Sequence, residues 1–435
     1  MSNRTKIAAL TAAFALTVSA APALAQDGAP VPEATSSDLE YQGEIEIWNT
    51  MRDFELQELQ KVIDAWEAAN PGVTVKHTPV SFDDLRPNFL NAAPTGQGVP
   101  DIIRSEAGWT VGFADEGFLL DLTDLVDTSD FLPEPISTAQ WKGGLYGVPH
   151  VWDFLGLQCN AEALASVGLD APPATFDELV AAGTEFADLD AQKYGFNIFA
   201  SDPYYAQPHM WSWGGELFEV NEDGSVTVLV NSPENAAGWN YIRDNMQGVI
   251  MPAIPDITNE WDNQIALFTS GNAMCVIMGP WGVAPHLAGE VFKDNPENLI
   301  IAPIPEGTPG NSGTPIGGHH WAVYALVAQD EAKQAAVLDL IDFMNGAEAQ
   351  QYLATSLGLI PTRASALESE VVQADPIVSA WGEVAQDARN RGGHPRAGDI
   401  YVDLGREWQA FLIGDKSAEE ALATIEAAWE GIFNG

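Results

Sequence analysis

The chain has 435 residues, 46% of them hydrophobic, with 18 basic and 62 acidic side chains and a net charge of −44 at pH 7. That length and apolar content can fill a large core divided between two or more lobes. So negative a surface repels phosphate backbones and anionic headgroups, which argues against nucleic acid and acidic membranes as partners and suits a salty medium, where the Debye length shrinks towards about 3 Å at 1 M.

The N-terminus opens with Arg4 and Lys6, continues with an apolar run from Ile7 to Val18 and ends in the small residues Ala23-Leu24-Ala25. These are the three regions of a secretory signal peptide cleaved after Ala25, and the run is shorter than the roughly 20 residues of a membrane span. The first cysteine is Cys159, so no lipid-anchor cysteine stands at the cleavage point. The mature protein is expected outside the cytoplasm, soluble and without a membrane anchor.

Residues 26–42 mix Pro, Ser, Gly and acids without apolar periodicity and read as a flexible leader. The alternation from Glu44 to Trp48 predicts a strand, Phe54 to Ala69 a helix carrying Leu56, Leu59, Ile63 and Trp66, and Val73 to His77 a second strand after the stop at Asn70-Pro71-Gly72. Strand, helix and strand in so short a span form a βαβ unit with parallel strands. The pattern recurs with a strand from Asp101 to Arg104 and a helix from Val111 to Leu119. Further helices are predicted over Phe176–Leu189, Pro233–Met246 and Glu331–Asn345, and strands over Tyr194–Phe199, Ala273–Met278 and Trp321–Val327. The fold class is α/β. No tandem repeat suggests a solenoid.

Cys159 and Cys275 each sit in an apolar, strand-like run; a bridge and a buried free pair are both compatible with that placement. No cofactor motif is recognisable: Gly143-Gly144 and Gly317-Gly318 lack the spacing or the lysine of phosphate loops, and there is no zinc helix and no nucleophile elbow. His319-His320 stand together in a Gly-rich stretch without a nearby Cys or helical spacing, a poor metal signature. A glycosidase needs two carboxylates about 5 to 9.5 Å apart, which 62 acids could supply by chance.

Aromatic residues stand in polar, Gly- or Pro-punctuated places: Trp48, Trp109, Trp152 beside Asp153, Tyr204-Tyr205 after Asp202-Pro203, Trp211, Trp213, Trp281 after Gly279-Pro280, and Tyr401. Most follow predicted strands, where open α/β sheets bind ligands. Rings beside carboxylates suit sugars, whose C–H faces stack and whose hydroxyls donate to carboxylate oxygens.

At these residues the chain resembles the extracellular solute-binding proteins of ABC sugar importers, of the maltose/maltodextrin-binding type. The resemblance rests on Val99-Pro-Asp-Ile-Ile103 with Gly117-Phe-Leu-Leu-Asp-Leu122, Gly144-Leu-Tyr-Gly-Val-Pro149 leading to Asn160, Pro233 to Tyr241, and Ile265 to Met274 with Met278-Gly-Pro-Trp281. It continues through Ile301 to Pro305, Pro315 to Gly318 and Gly358 to Arg363. It implies two α/β lobes joined by crossing strands, lobe 1 at 43–152 plus 315–361 and lobe 2 at 153–314 plus 362–435, with the ligand clasped in the cleft. The ligand-contacting acid falls on Asp153, the acid-Pro-aromatic-aromatic segment on Asp202, Tyr204 and Tyr205, and the stacking rings on Trp281 and Tyr401. Arg52, Asp53, Glu106 and Trp109 occupy contact positions of the first lobe, and Trp152, Trp213 and His319 join the expected binding residues. Ser105 and Gly108 depart from the maltodextrin pattern.

The resemblance implies a non-enzymatic, monomeric periplasmic protein without a cofactor, taking a sugar or short oligosaccharide to the transmembrane permease subunits of an importer. Two other readings stay open: a binding protein for a different solute, such as a metal complex or an anionic uronate oligosaccharide, suggested by His319-His320 and by Arg389, Arg391, His394 and Arg396, and a secreted glycan-cleaving enzyme.

Overall fold

The computed structural model describes residues 28–434 apart from 222, 256 and 392; the expected signal peptide lies outside them. The elements that build the first half are β1 (Gly43–Asn49), α1 (Asp53–Ala69), β2 (Val73–Pro79), α2 (Phe82–Ala92), β3 (Ile102–Glu106), α3 (Ala107–Asp115) and β4 (Val148–Asp153). The chain then runs through β5 (Gly156–Asn160), α4 (Phe176–Phe186), β6 (Tyr194–Asn197), α5 (Glu260–Thr269), β7 (Ala273–Met278) and β8 (Leu299–Ala302). It returns with β9 (Gly317–Val323), α6 (Glu331–Met344) and α7 (Ala347–Leu357), and ends with α8 (Ile400–Leu412) and α9 (Ala418–Asn434).

Two sheets result. The first has the order β2-β1-β3-β9-β4, with β1 parallel to β2 and β3, and β9 antiparallel to both its neighbours. The second has the order β8-β5-β7-β6, with β7 parallel to β6 and antiparallel to β5. Each sheet has its own apolar core. One gathers Ile45, Ile47, Ile63, Trp66, Phe89, Ile103, Trp321 and Leu340; the other gathers Phe154, Leu157, Phe196, Trp239, Val276, Trp381, Trp408 and Trp429. Core membership changes between Val151 and Trp152, between Ile316 and Trp321, and between Leu359 and Ile360, so the chain passes three times from one core to the other. Residues 364–373 pack first on α7, where Ala354, Val372 and Val378 form a small third cluster.

The βαβ unit forms as expected, because the alternation of β1 buries Ile45 and Ile47 against α1 while Gly43 to Asn49 align with Val73 to Pro79. Several boundaries differ from the sequence reading, two of them beside the cleft. The helix expected from Val111 to Leu119 begins at Ala107, since the Glu106 carboxylate caps it by accepting from the Gly108 N–H at 2.8 Å; it stops before Gly117, whose φ of +74° closes the last turn. The strand expected from Trp321 to Val327 instead spans Gly317–Val323. Its two glycines look like a loop in sequence, but Gly318 adopts φ +144°, and a Cβ there would lie 2.4 Å from the Val151 carbonyl.

Cys159 and Cys275 face each other on β5 and β7 and are joined in a disulfide, which decides between the two alternatives left open. Residues 28–42 have no regular secondary structure and lie along the first core, with the Ala29 amide donating to Thr355 Oγ1 and the Ser37 amide to Asn70 Oδ1. No described helix is long and apolar enough to cross a membrane.

Candidate ligand-binding cleft

The two halves meet around a buried ion pair. Glu106 ends β3 and caps α3, and its carboxylate pairs with the guanidinium of Arg391. Arg391 is held from other sides as well, its Nε donating to the Ile316 carbonyl at 2.7 Å and its Nη1 to the Tyr401 hydroxyl at 2.9 Å. The guanidinium lies 5.2 Å from the Tyr204 ring centroid and 5.6 Å from that of Tyr401. Burial lowers the Arg391 pKa, but Glu106 and the two tyrosines outweigh it, so it stays charged.

Beside this pair, Tyr204 donates its hydroxyl to the Pro315 carbonyl at 2.9 Å, and its ring stands 6.2 Å from the half-buried Trp281. Asp202 caps the short turn that carries Tyr204, accepting from its amide at 2.9 Å. The loop before it is fixed by Glu260, at the start of α5, which accepts from the amides of Ala200 and Ser201. Trp281 lies back over the backbone of Gly279, where a side chain would strike its ring.

A second polar group lies where β4, β3 and β9 run side by side. Asp153, at the end of β4, is buried; its Oδ2 is 3.5 Å from His319 Nδ1, and its Oδ1 is without a hydrogen-bond partner among the described residues. Burial pushes the Asp153 carboxyl up to about 6, against the pull of Arg104 and Arg391. Burial, with Arg104 and Arg391 nearby, holds His319 well below its usual range, so this imidazole is neutral. His319 and His320 are consecutive on β9, where its register against β4 shifts, and their side chains meet different partners. His319 reaches Asp153, whereas His320 is satisfied between Thr110 Oγ1 at 2.8 Å and Thr138 Oγ1 at 2.9 Å.

The structure therefore brings together Glu106, Asp153, Tyr204, Trp281, His319 and Tyr401, with Asp202 next to them. Arg52 faces the second half from the start of α1, its guanidinium 3.8 Å from the centroid of Trp261; Asp53, the next residue, is exposed. Four expected residues are packed against other rings. Trp213 packs at 5.0 Å on both Phe176 and Tyr241 inside the second core, and Trp152 packs on Phe154 at 4.7 Å. Tyr205 is buried against Phe199 at 4.6 Å, and Trp109 is covered by Phe82. These rings lie on or beside the elements that carry the other expected residues.

Sequence reasoning missed Arg104, Trp261 and Phe82. Arg104 is buried in β3, donating to His150 Nδ1 at 3.3 Å and Thr50 Oγ1 at 3.2 Å. The signal was present in Asp101-Ile-Ile-Arg104, where a cation ends an apolar strand. The basic cluster disperses: Arg389 pairs with Glu216 at 2.8 Å, Arg391 with Glu106, and Arg396 with Asp399. Between α3 and Asn390, Arg391, Gly393 and His394 lies a cavity of only about 40 Å³, room for a few waters but not for a sugar ring.

A family profile described as bacterial extracellular solute-binding protein matches residues 61–380. The chain belongs to this family. Among curated relatives of this solute-binding chain, the maltotriose-binding protein of Pyrococcus abyssi is 26% identical over 82% of the chain and 75% of its own length. The galactooligosaccharide-binding protein of Bacillus subtilis is 25% identical over 80% and 82%. Among solved structures, the GacH receptor of Streptomyces glaucescens, determined unliganded and with acarbose, superposes with a TM-score of 0.83 at 30% identity over 91% of this chain and 99% of that one. A maltose-bound MalE3 from Thermotoga maritima shares the two-lobed fold with a TM-score of 0.80 at 22% identity over 90% of this chain and 100% of that one.

Proposed function

We propose that this solute-binding protein captures a neutral sugar or short oligosaccharide of maltodextrin or α-glucoside type between its lobes and delivers it to the permease subunits of an ABC importer. It would act as a soluble monomer in the periplasm after loss of its signal peptide, with 43–152 plus 315–361 and 153–314 plus 362–435 as the two moving halves. The observation that carries the reading is the half-buried ring of Trp281 beside Tyr204, set near an Asp153 oxygen that no described residue satisfies. A ring face and a free acceptor are what a sugar's C–H face and hydroxyl require. Relatives named for maltotriose and galactooligosaccharide, and a structural neighbour solved with acarbose, support the same class.

The paired cations support a neutral ligand. Three N–H directions of Arg391 are already taken by Glu106, Tyr401 and Ile316, and Arg389 and Arg396 have acidic partners of their own. A ligand carboxylate would have to displace a protein carboxylate to reach Arg391. No bond is made or broken in this cycle: the lobes part to admit the sugar, and closure brings groups from both onto it, selecting the closed form.

A thermal-shift screen of neutral and acidic mono- to tetrasaccharides tests this. A ligand present at 100 times its dissociation constant adds about 2.7 kcal/mol of stability. Failure of every carbohydrate to raise the melting temperature rejects the sugar reading, and a response confined to uronates replaces the neutral ligand with an anionic one.

A further inference from the structure

We propose that Phe82 is a stacking wall at the mouth of the cleft, so that the ligand is an oligosaccharide with one unit on Trp281 and another on Phe82. The inference rests on the sugar reading and deepens it. Among the described residues Phe82, at 47% exposure, is the only aromatic among the exposed large apolar side chains; the others are aliphatic. The first core takes in, fully or in part, the other described large rings of its half, so an aromatic left in water needs a reason.

Phe82 is also held in place. It is the first residue of α2, directly after Ser81, which accepts from the Asp84 amide as the helix cap. Its ring lies 4.9 Å from that of Trp109, tilted by 42°, and Trp109 is itself 94% buried against the first core. One face thus rests on a fixed support while the other stays open, which lowers the entropy lost when a ligand settles on it.

Its surroundings place it at the cleft. On the same helix Arg86 pairs with Asp399, two residues before Tyr401. The neighbouring Asp83 is close enough to Asp202, on the second half, to help raise the pKa of that carboxyl. Trp109 lies on α3, the helix capped by Glu106, the partner of Arg391. Phe82 therefore stands on the first half, on the helix whose Asp83 and Arg86 reach Asp202 and Asp399, while Trp281 and Tyr204 stand on the second. Nearer the ion pair Ser105 is fully buried and hydrogen-bonded with Thr110.

The test is calorimetric titration of the exported chain and of Phe82→Ala and Phe82→Tyr with malto- and galacto-oligosaccharides of one to four units. The alanine variant is expected to bind tri- and tetrasaccharides about five- to tenfold more weakly, with little change for mono- and disaccharides, and the tyrosine variant to retain the wild-type preference. Equal affinities of wild type and Phe82→Ala at every chain length overturn the stacking wall and leave the sugar reading standing. If wild type binds none of these sugars, both fall together.

Discussion

The guanidinium of Arg52 stands 3.8 Å from the centre of the Trp261 ring, one capping the start of α1 in the first half and the other on α5 of the second. Such a contact gives about 0.5–2 kcal/mol, depending on how far it is desolvated, and it exists only while the halves are together. Arg52→Ala should therefore weaken sugar binding by up to about tenfold without lowering the melting temperature of the unliganded protein by more than a degree or two. Titration calorimetry with the best sugar from the screen reads this out, and an unchanged affinity would remove the contact from the closure energy.

Trp281 and Trp213 make a matched pair of controls. Trp281→Ala is expected to reduce affinity by about tenfold or more through lost stacking. Trp213→Ala should leave affinity near wild type and instead destabilise the second core by about 3–5 kcal/mol, since Trp213 is packed on Phe176 and Tyr241. Urea melts and binding isotherms of the two variants should show opposite patterns.

Much of the architecture was legible because it depends on local pattern. Ile45 and Ile47 on β1, and Leu59, Ile63 and Trp66 on α1, announce a βαβ unit by periods of 2 and 3.6, and the structure pairs those strands in parallel. The cleft was only partly legible, because a ring's environment is a tertiary fact. Tyr204 and Trp213 both stand in polar, aromatic stretches, yet one faces Arg391 and the other fills a core. The basic residues at 389–396 suggested a patch, but their partners Glu216 and Glu106 lie more than 150 residues away in sequence, beyond any window of local reading. Phe82 carried no signal at all in its own segment; its meaning comes from Trp109 beneath it.

The ion pair of Glu106 and Arg391 should behave as a coupled unit. Removing either partner leaves a buried charge uncompensated, so Glu106→Ala and Arg391→Ala are each expected to cost about 3–5 kcal/mol, while the double variant costs less than the sum. Denaturant unfolding of the four proteins gives the coupling energy. Additive losses would show that the two side chains do not rely on each other.

Acidity should act through Asp153 and Asp202, both pushed up to about 6 by burial. Arg104, Arg391 and His319 face Asp153; Asp83, Glu260 and Glu106 act on Asp202 from its other sides. Between pH 3.8, the ordinary aspartate value, and 6 the folded state holds more protons at these two sites than the unfolded chain does. Their contribution to stability is thus full below the lower value and is lost as pH rises through the higher one. Binding runs the opposite way, because a protonated Asp153 loses an acceptor. Affinity for a neutral sugar should fall as pH drops from 7.5 to 5, and Asp153→Asn should abolish most of that dependence in pH-resolved calorimetry.

Salt should stabilise the protein. With a net charge of −44, raising sodium chloride from 0.1 to 1 M shortens the screening length from about 10 to about 3 Å and relieves self-repulsion. Scanning calorimetry should show the melting temperature rising by roughly 2–4 °C for each kcal/mol so gained. No rise would mean that pairing already balances the acids.

The disulfide makes the two halves unequal. Cys159 and Cys275 are separated by 116 residues, and the loop they close contains α4, β6 and α5. Closing a loop of that size takes about 4.7 kcal/mol of freedom from the unfolded chain. The first half has no such tether. The half carrying Trp281, Tyr204 and Asp202 is thereby the more durable jaw, and the half carrying Glu106 and Phe82 is the one that yields first to heat or denaturant. A reducing environment would erase that difference, leaving the two halves to depend on their cores alone.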